Sequence, residues 1–381
     1  MQKKPYSKDF KLGVLGGGQL GRMLITPAID LDIKLSVLDP DAEAPCRHIA
    51  HHFMLGDFHD EETVVKFGES LDVVTVEIEH VSIAGLKQLE AKGVKVFPQS
   101  SVLETVQDKG LQKLFYQKHS LPTAPFHLVK NAAELHDHKA FLPFVQKLRK
   151  GGYDGRGVQV IKTETDLPKA FDAPSVLESF VDFEKEIAVI VARNEQGEIK
   201  TFPAVELNFN PDANLVELLF APADIFPETE KKAAEIAKQT IEAFGLVGIL
   251  AVELFLLKNG EILVNEVAPR PHNSGHHSIE ANVTSQYAQH LRAILGFPLG
   301  DTTLRQPAAM VNLLGAPGFT GPVQYEGLEE AMAIPGVYVH LYGKALTKPF
   351  RKMGHVTITA STAAEAREKA MFIKNLIQVK S

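Results

Sequence analysis

Two apolar runs separated by Asn259-Gly260 constrain the fold of this chain more than any other feature. The runs cover residues 250–257 and 262–267, and each has the length of one strand. An Asn-Gly dipeptide favours a two-residue type I′ turn, because both central residues of that turn need a positive φ. The pattern therefore predicts a β-hairpin.

The hairpin in turn predicts a pair of facing carboxylates. If Lys258 pairs with Glu261 across the turn, counting outward along both strands places Glu253 opposite Glu266. Like charges that face each other in a ladder are destabilising unless a cation compensates them. Mg²⁺ is such a cation, since it takes carboxylate oxygens and keeps phosphate and water as its other ligands. The alternative is a register shifted by one residue, which would turn one carboxylate towards solvent.

A polar loop follows the second strand. Residues 268–277 have the sequence APRPHNSGHH, which combines proline and glycine with basic, amide and imidazole side chains. Polar side chains on a loop that a rigid hairpin holds are more often functional than structural. We therefore expect candidate functional side chains at Arg270, His272, Asn273, Ser274, His276 and His277.

Length, charge and cysteine usage limit the class of protein. The chain has 381 residues, which suggests two or three domains, and 45% hydrophobic with 23% charged residues is ordinary for a soluble globular protein. A net charge of -7 argues against a nucleic-acid partner. No apolar run has the length of a membrane span or forms a signal segment, so we expect a cytoplasmic protein without a membrane partner. Cys46 is the only cysteine, which excludes an intrachain disulfide.

The N-terminal region alternates strands and helices. Residues 12–15, 34–38, 73–78 and 94–97 are candidate strands, and residues 22–29 can form a helix. Such alternation implies a parallel sheet with right-handed crossovers. The sequence therefore predicts a doubly wound α/β domain.

A glycine-rich motif follows the first of these strands. Gly16, Gly18 and Gly21 satisfy the G-x-G-x-x-G pattern, and Asp39 lies at about the distance expected of a ribose-binding acid. The motif is weak by itself, because backbone N–H groups at a helix N-terminus can hold a sugar phosphate as well as NAD. Both ligands stay open at this point.

Acidic residues lie at the end of the third candidate strand. Thr75, Glu77 and Glu79 share one face of this strand, since side chains alternate along it. Acids at the carboxyl edge of a parallel sheet can point at a ligand. The alternative is that they are solvated residues at a strand end.

The middle of the chain contains a predicted helix, a linker and a flap. Residues 103–119 are predicted as one helix with Asp108-Lys109 and Gln112-Lys113 on its polar side, and residues 121–125 as an extended linker. Strand-like residues 144–148, and a run beginning at 159 or 160, enclose the segment RKGGYDGRG. Its amides and cations can close over a polyphosphate. The alternative is a flexible basic hairpin tip.

The remaining elements are predicted from apolar periodicity. Candidate strands cover residues 175–181 and 187–192, with an acidic connection at residues 184–186 between them. Candidate helices cover residues 228–244, capped by Gly245, and 282–295.

The C-terminal part has short β segments at 308–313, 336–342 and 356–360. A capping box at Thr362 begins a final helix that reaches about residue 377. Lys348, Arg351 and Lys352 form a basic corner before the last strand, and by composition alone a solvated loop is the favoured interpretation.

The order of flap, acidic connection and paired carboxylates resembles an ATP-grasp enzyme, an α/β protein. More narrowly, GGGQLGRM, DVVTVEIEHV, GGYDGRG, AVELF, NEVAPRPHNSGH and RKMGH resemble the 5-(carboxyamino)imidazole ribonucleotide synthetases of bacterial and fungal purine biosynthesis. The resemblance covers nearly the whole chain. It implies a Rossmann-like (pre-ATP-grasp) domain at 1–102, an ATP-grasp domain at 103–300 with a lid at about 120–182, and a small C-terminal β-rich subdomain at 301–381.

The resemblance also implies roles for individual residues. Mg²⁺, or Mn²⁺ in its place, is expected on Glu253 and Glu266. Tyr153, Asp154, Arg156, His272 and Asn273 would line the bicarbonate site and, with Lys352, act in catalysis. The ribonucleotide would bind at Gly18, Gln19, Leu20, Glu77, Arg270, Ser274, Lys344, Arg351 and Lys352. Among these, Gln19 with its glycine loop, Arg270 and the three basic residues near the C-terminus would contact especially its phosphate. ATP would bind at Lys109, Lys147, Gly152, Tyr153, Asp154, Gly155, Arg156, Gly157, Val158, Glu178, Ser179, Phe180, Val181, Glu186, Asn265 and Glu266.

Three departures from the family pattern are visible. Lys109 stands where related enzymes commonly carry Arg, which keeps the charge but loses the planar fork. Ala268 occupies the place where many ATP-grasp enzymes have a metal-binding Asn. Residues 202–224 differ from the commonest version of this segment in the family, so no nucleotide contact is assigned there.

The implied reaction is the carboxylation of 5-aminoimidazole ribonucleotide by bicarbonate and ATP, through carboxyphosphate, in a homodimeric ligase. The nearest rival is a formate-using ligase of the same superfamily that acts on glycinamide ribonucleotide. An NAD-dependent oxidoreductase would explain the glycine motif but not the flap or the carboxylate pair. A non-catalytic nucleotide sensor is the third alternative.

Overall fold

A computed structural model describes residues 4–152, 157–210 and 215–381. The N-terminal elements are β1 (Leu12–Leu15), α1 (Gln19–Asp30), β2 (Leu35–Asp39), β3 (His52–Leu55), α2 (Glu61–Gly68), β4 (Val73–Val76), α3 (Ile83–Ala91) and β5 (Lys95–Val96). They form a parallel sheet of order β3-β2-β1-β4-β5. The predicted doubly wound domain is confirmed. The edge strand β3 was not predicted, because it is short and half exposed and so has no apolar run to mark it.

Two helices replace the single helix predicted at 103–119. They are α4 (Ser100–Val106) and α5 (Lys109–Lys118), and Asp108 between them has φ −125° and ψ 107°. Asp108 Oδ1 accepts hydrogen bonds from the amides of Gly110 and Leu111 at 2.8 and 3.3 Å. It therefore caps α5, and the prediction of one continuous helix is wrong. The predicted polar face is wrong as well, since Asp108, Gln112 and Lys113 are buried.

A small antiparallel sheet follows the linker. It is built from β6 (Phe126–Val129), β7 (Phe144–Leu148), β8 (Val158–Ile161) and β9 (Ser175–Ser179), with 3-10 segments at Ala133–Phe141 and Glu164–Lys169. Its order is β6-β9-β7-β8. We call these residues, 126–179, the lid sheet. Its apolar side packs around Val129, Leu135, Phe144 and Leu177.

A larger sheet forms the centre of the molecule. Its first elements are β10 (Phe183–Arg193), β11 (Ile199–Thr201), β12 (Val205–Asn210), β13 (Leu215–Ala221), α6 (Pro227–Phe244), β14 (Gly248–Leu257) and β15 (Ile262–Ala268). The predicted acidic connection at 184–186 belongs to β10, which begins four residues earlier than expected. Helix α6 ends at Gly245, whose φ of 58° is left-handed, as predicted. Its buried residues Ala237 and Ile241 pack against Val252 and Leu254 of β14.

The last elements extend this central sheet. They are α7 (Ser278–Ala281), α8 (Gln286–Ile294), β16 (Ala308–Leu314), β17 (Gly321–Pro322), β18 (Gln324–Glu326), α9 (Leu328–Met332), β19 (Val337–Leu341), β20 (Leu346–Thr347), β21 (Lys352–Thr359), α10 (Ala363–Leu376) and β22 (Gln378–Lys380). The sheet order is β15-β14-β10-β12-β13-β16-β21-β19. The helix predicted from residue 282 begins only at Gln286, after Ser285 caps it. Thr362 caps α10 as predicted. No described helix has the length and apolar character needed to cross a membrane.

Candidate active site

The predicted hairpin forms with a different turn. Leu257 pairs with Glu261 (N···O 2.8 Å), which leaves Lys258, Asn259 and Gly260 as a three-residue loop. Gly260 has φ 81°, but Asn259 is not among the residues with positive φ, so the turn is not type I′. The predicted pairing of Lys258 with Glu261 is therefore wrong.

A β-bulge restores the predicted register further along. Glu253 pairs with Glu266 and Leu254 pairs with Val264, so Asn265 is an extra residue in β15. Val264 and Val267 both pack in the core against α6, although residues three apart lie on opposite faces of a regular strand. The bulge therefore turns Asn265 and Glu266 together towards the other face. Glu253 opposite Glu266 is confirmed, by a geometry that turn chemistry alone did not predict.

Three carboxyl groups share this face and influence one another. Burial raises the pKa of Glu253 well above its ordinary value, and the charges of Glu266 and Glu186 raise it further. Burial, followed by the charge of Glu266, also raises the pKa of Glu186. By contrast, Lys109 donates to Glu266 Oε2 at 2.7 Å, and its charge lowers the pKa of Glu266. The pair is electrostatically asymmetric. Lys109 stabilises the anionic form of Glu266, whereas the cations near Glu253 do not offset its burial and the two neighbouring acids.

Two lysines share the carboxylate of Glu178 beside this cluster. Lys113 Nζ lies 3.0 Å and Lys147 Nζ 3.2 Å from its two oxygens. Burial alone would raise the pKa of Glu178, but the combined charges of Lys147 and Lys113 lower it below its ordinary value. Lys147 also donates to Asn265 Oδ1 at 3.0 Å, and Asn265 Nδ2 donates to Glu186 at 3.3 Å. The lid sheet and the hairpin thus meet through a continuous polar network.

The flap begins with a second ion pair between the lid sheet and α5. Arg149 donates to both oxygens of Asp108 at 2.8 and 2.7 Å. Gly151 and Gly157 have φ of 76°, which only glycine adopts easily. Gly152 and Val158 lie at the two ends of the flap, and Val158 pairs with Lys147. Tyr153, Asp154, Gly155 and Arg156 lie outside the described residues.

The expected adenine segment connects the lid sheet to the central sheet. Ser179 donates its amide to Pro125 O at 2.9 Å and Phe180 donates its amide to Pro143 O at 3.0 Å. The side chain of Phe180 is 46% exposed. Val181 follows before β10 begins. Hydrogen bonds therefore hold the backbone of this segment, while the side chain of Phe180 is exposed.

The polar loop after β15 is tied to both neighbouring regions. Arg270 pairs with Glu79 at 2.7 Å, which joins the hairpin to the N-terminal sheet. His272 Nε2 lies 3.7 Å from Glu253 Oε1, and its Nδ1 lies 2.9 Å from Ser274 Oγ. Burial, with the charges of Arg270 and Lys352, lowers the pKa of His272 to about 3, so this imidazole is neutral.

Asn273 has a partner that the sequence did not indicate. Its amide exchanges two hydrogen bonds of 2.9 Å with Asn312 of β16, and Asn312 also donates to Val216 O at 2.8 Å. The side chain predicted to line the bicarbonate site is therefore engaged with the central sheet.

The glycine loop already holds an acceptor from the chain itself, the carboxyl group of Glu77. The amides of Gly18, Leu20 and Gly21 each donate to it at 3.0 Å. A Cβ at Gly16 would lie 2.5 Å from Glu77 Cγ, so glycine is needed for this approach. Asp39, the candidate ribose acid, instead accepts from the amide of Gly17 at 2.6 Å. The loop is satisfied by the chain's own acids.

The structure brings one end of the basic corner to the site. Lys352 is the first residue of β21, and its charge acts on both Glu253 and His272. Lys344 donates to Lys352 O at 2.7 Å, which places both lysines together. Arg351 donates to Leu346 O at 2.6 Å on the exposed side. Gln19 is the first residue of α1, beside the glycine loop.

Sequence reasoning missed three residues of the site. Lys113 and Asp108 were assigned to a solvated helix face, and Asn312 lies in an apolar strand. Two signals in the sequence could have identified them. Asn312 is a polar residue inside an apolar run, and the four-residue spacing of Lys109 and Lys113 puts both lysines on one helix face.

The fold and the facing carboxylates are those of the ATP-grasp class of proteins. The ATP-grasp domain model matches residues 114–287, the ribonucleotide synthetase preATP-grasp domain 10–107, and the phosphoribosylaminoimidazole carboxylase C-terminal domain 308–369. The N5-carboxyaminoimidazole ribonucleotide synthase of Bacillus subtilis is 39% identical over 91% of this chain and 90% of its own length. The chain belongs to the N5-carboxyaminoimidazole ribonucleotide synthase family.

Solved structures agree with this assignment. The synthetase of Thermotoga maritima is 45% identical with a TM-score of 0.90, covering 98% of this chain and 99% of that one. The Aspergillus clavatus synthase in complex with ADP and 5-aminoimidazole ribonucleotide is 35% identical with a TM-score of 0.88, covering 97% and 98%. The chain spans only 64% of the chloroplastic phosphoribosylaminoimidazole carboxylase of Vigna aconitifolia, to which it is 41% identical over 92% of its own length.

Proposed function

We propose that this chain uses ATP and bicarbonate to carboxylate the amine of 5-aminoimidazole ribonucleotide in de novo purine biosynthesis, releasing ADP and phosphate. The observation that carries the proposal is the facing pair Glu253 and Glu266 beside Lys109 and Lys147, where the lid sheet meets the central sheet. Such a site suits phosphoryl transfer, in which positioning and charge neutralisation do most of the work. The identity of the substrate, 5-aminoimidazole ribonucleotide, is taken from the names of the relatives described above.

The chemistry explains why ATP is needed. Bicarbonate is a poor electrophile, because delocalised negative charge shields its carbon. Transfer of the terminal phosphoryl group of ATP to a bicarbonate oxygen gives carboxyphosphate, a mixed anhydride. The amine of the ribonucleotide then attacks the carboxyl carbon, phosphate leaves, and the amine loses a proton. No side-chain nucleophile is required.

The residues present fit a divalent cation. Burial and neighbouring acids disfavour an ionised Glu253, which is the environment that a cation would relieve. No group of three or more His, Cys, Asp or Glu side chains in the described ranges is arranged to hold a metal. Glu253 and Glu266 offer two carboxylates, a usual number for Mg²⁺ or Mn²⁺ bound together with nucleotide phosphates. When bound, the ion would neutralise charge on the transferred phosphoryl group.

The protein side chains would bind and orient the substrates. Lys109 and Lys147 would hold ATP phosphates, residues 178–181 the adenine and Glu186 the ribose. The flap at 152–157 would close and exclude water from carboxyphosphate. Bicarbonate would lie near Tyr153, Asp154, Arg156, His272 and Asn273. The ribonucleotide would contact Gly18, Gln19, Leu20, Glu77, Arg270, Ser274, Lys344, Arg351 and Lys352.

The finding at the glycine loop refines this substrate site. Because Glu77 accepts the loop amides, we place the substrate phosphate at Lys344, Arg351 and Lys352 rather than at α1. The role of the glycines is then structural, because they allow the Glu77 side chain to approach the loop after β1. The proposal includes a homodimer in the cytoplasm, which the family resemblance suggests.

A phosphate-release assay with ATP and Mg²⁺ tests the proposal. We expect full turnover only when 5-aminoimidazole ribonucleotide and bicarbonate are both present, with labelled bicarbonate entering the product. Formate with glycinamide ribonucleotide should give no turnover. Phosphate release that does not depend on bicarbonate, or activity with formate instead, would overturn the proposal.

A further inference from the structure

We propose that Lys113 is a positioning residue: it is the permanent counterion of Glu178 and thereby leaves Lys147 able to bind the phosphates of ATP. This inference rests on the proposed function in one respect, the assignment of Lys147 to the nucleotide. It adds a role for a lysine that would not itself touch a substrate.

The geometry shows two ammonium groups on one buried carboxylate. Lys113 lies 3.0 Å from Glu178 Oε2, and Lys147 lies 3.2 Å from Glu178 Oε1. The side chains of Lys113 and Glu178 are only 3% and 5% exposed, whereas that of Lys147 is 13% exposed. The Lys113 side chain is therefore enclosed, whereas the Lys147 side chain is partly accessible from the candidate active site.

Lys113 is also fixed at its other contact. Its Nζ donates to Thr123 Oγ1 at 2.7 Å, and this hydroxyl donates to Val264 O at 2.9 Å. The ammonium group is thus held between the linker, the hairpin and Glu178. Lys147 instead extends from Glu178 towards Asn265 at 3.0 Å, beside the carboxylate pair.

Charge balance explains why two cations are present. A buried carboxylate that loses its only cation is strongly destabilised, so Glu178 would retain a sole lysine partner. If Lys147 were that partner, moving it to a phosphate would leave Glu178 unpaired. With Lys113 in place, Lys147 can shift to the nucleotide while Glu178 keeps one ion pair. The Lys113–Glu178 pair also links α5 to the lid sheet.

The test is nucleotide binding in a two-residue cycle. Lys113→Met removes the charge and keeps much of the length, and calorimetry with ADP and with a non-hydrolysable ATP analogue, both with Mg²⁺, measures affinity. We expect binding to weaken by about tenfold or more, because Glu178 then retains Lys147. Glu178→Gln alone measures any direct loss at the adenine segment, and Lys113→Met should cause no further loss in that background, since no buried anion remains to hold Lys147.

Controls separate this role from a structural one. Lys118→Met, on the exposed end of the same helix, should bind as the parent does. Thermal melting of each variant shows whether it is folded, and the double variant lacks both buried charges, so it remains informative if Lys113→Met unfolds. A folded double variant that binds about tenfold more weakly than Glu178→Gln alone, or a Lys113→Met variant that binds normally, would overturn the proposal.

The experiment also separates this inference from the proposed reaction. Affinity is measured without the ribonucleotide and without bicarbonate. A parent protein that binds nucleotide but carboxylates nothing would refute the reaction and leave the role of Lys113 testable. Normal carboxylation by a tightly binding Lys113→Met variant would refute only the role of Lys113.

Discussion

Glu253→Gln should make the protein more stable while removing most of its turnover. Burial raises the pKa of Glu253 well above its ordinary 4.5, so the folded protein favours the protonated form. In the unfolded chain the same group is ionised at pH 7. Keeping it protonated therefore costs the folded state up to about 3 kcal/mol at pH 7. A glutamine of similar shape avoids that cost but supplies no anionic oxygen for a cation.

The pH dependence gives the prediction its sign. A raised pKa means that the folded state binds the proton more tightly, so the stability from this group is complete below pH 4.5 and is lost as the pH rises. The advantage of Glu253→Gln should accordingly be small at pH 5 and larger at pH 7, with about 3 kcal/mol as its upper limit. Urea denaturation in EDTA at both pH values measures it, and phosphate release measures turnover.

The facing residue should respond in the opposite direction. The Glu266 side chain is 44% exposed and pairs with Lys109 at 2.7 Å, so the pair is worth no more than about 1 kcal/mol. Glu266→Gln should lower the free energy of unfolding by about that amount and also remove most turnover. Glu261→Gln, on the exposed hairpin end, is the matched control and should change stability by less than about 0.5 kcal/mol. The reasoning is refuted if Glu253→Gln is less stable than the parent at pH 7, or if its effect is equal at both pH values.

Three further predictions follow from individual contacts. Asn312→Leu should lower the free energy of unfolding by about 1–3 kcal/mol, because it leaves the buried amide of Asn273 unpaired; unchanged urea denaturation would contradict this. Burial lowers the pKa of His290 to about 3, so the unfolded chain binds a proton below pH 6.5 while the folded chain does not. His290 should therefore lower the free energy of unfolding by about 1.4 kcal/mol when the pH falls from 7.5 to 5.5. Urea titrations should show a smaller loss of stability for His290→Gln over the same pH range. Calorimetry should detect no micromolar NAD or NADP binding, because Glu77 already accepts the amides of the glycine loop; clear NAD binding would show that this carboxylate is displaced.

Local patterns in the sequence were sufficient for most elements. The parallel N-terminal sheet, helix α6 with its Gly245 cap and the Thr362 cap of α10 all formed as predicted. The capping box predicted at Thr362 is incomplete, because Glu365 accepts from the amide of Ser361 instead of that of Thr362. Each depends on residues close together in sequence: apolar periodicity selects the element, and a small or polar residue ends it. The family motifs are local as well, which is why the ATP-grasp assignment could be reached from them.

The position of charged side chains was decided by contacts between distant segments. Asp108, which caps α5, pairs with Arg149, 41 residues away, and the buried Lys113 pairs with Glu178 of the lid sheet. A helical pattern in the sequence shows only that such residues share one face of the helix. That face is exposed to solvent unless another segment of the chain supplies a partner of opposite charge. The partner's location is a property of the tertiary structure.

The carboxylate pair shows the division most clearly. The sequence determined that two strands and a turn bring Glu253 and Glu266 together, but the turn takes three residues and the register is recovered only by the bulge at Asn265. Packing of Val264 and Val267 against α6 selects that bulge, since a regular strand would bury only one of them. Hairpin chemistry specifies pairing near the turn, whereas burial of a whole face specifies it farther away. Tertiary packing therefore decided that Asn265 faces Lys147 and Glu186 beside Glu253 and Glu266.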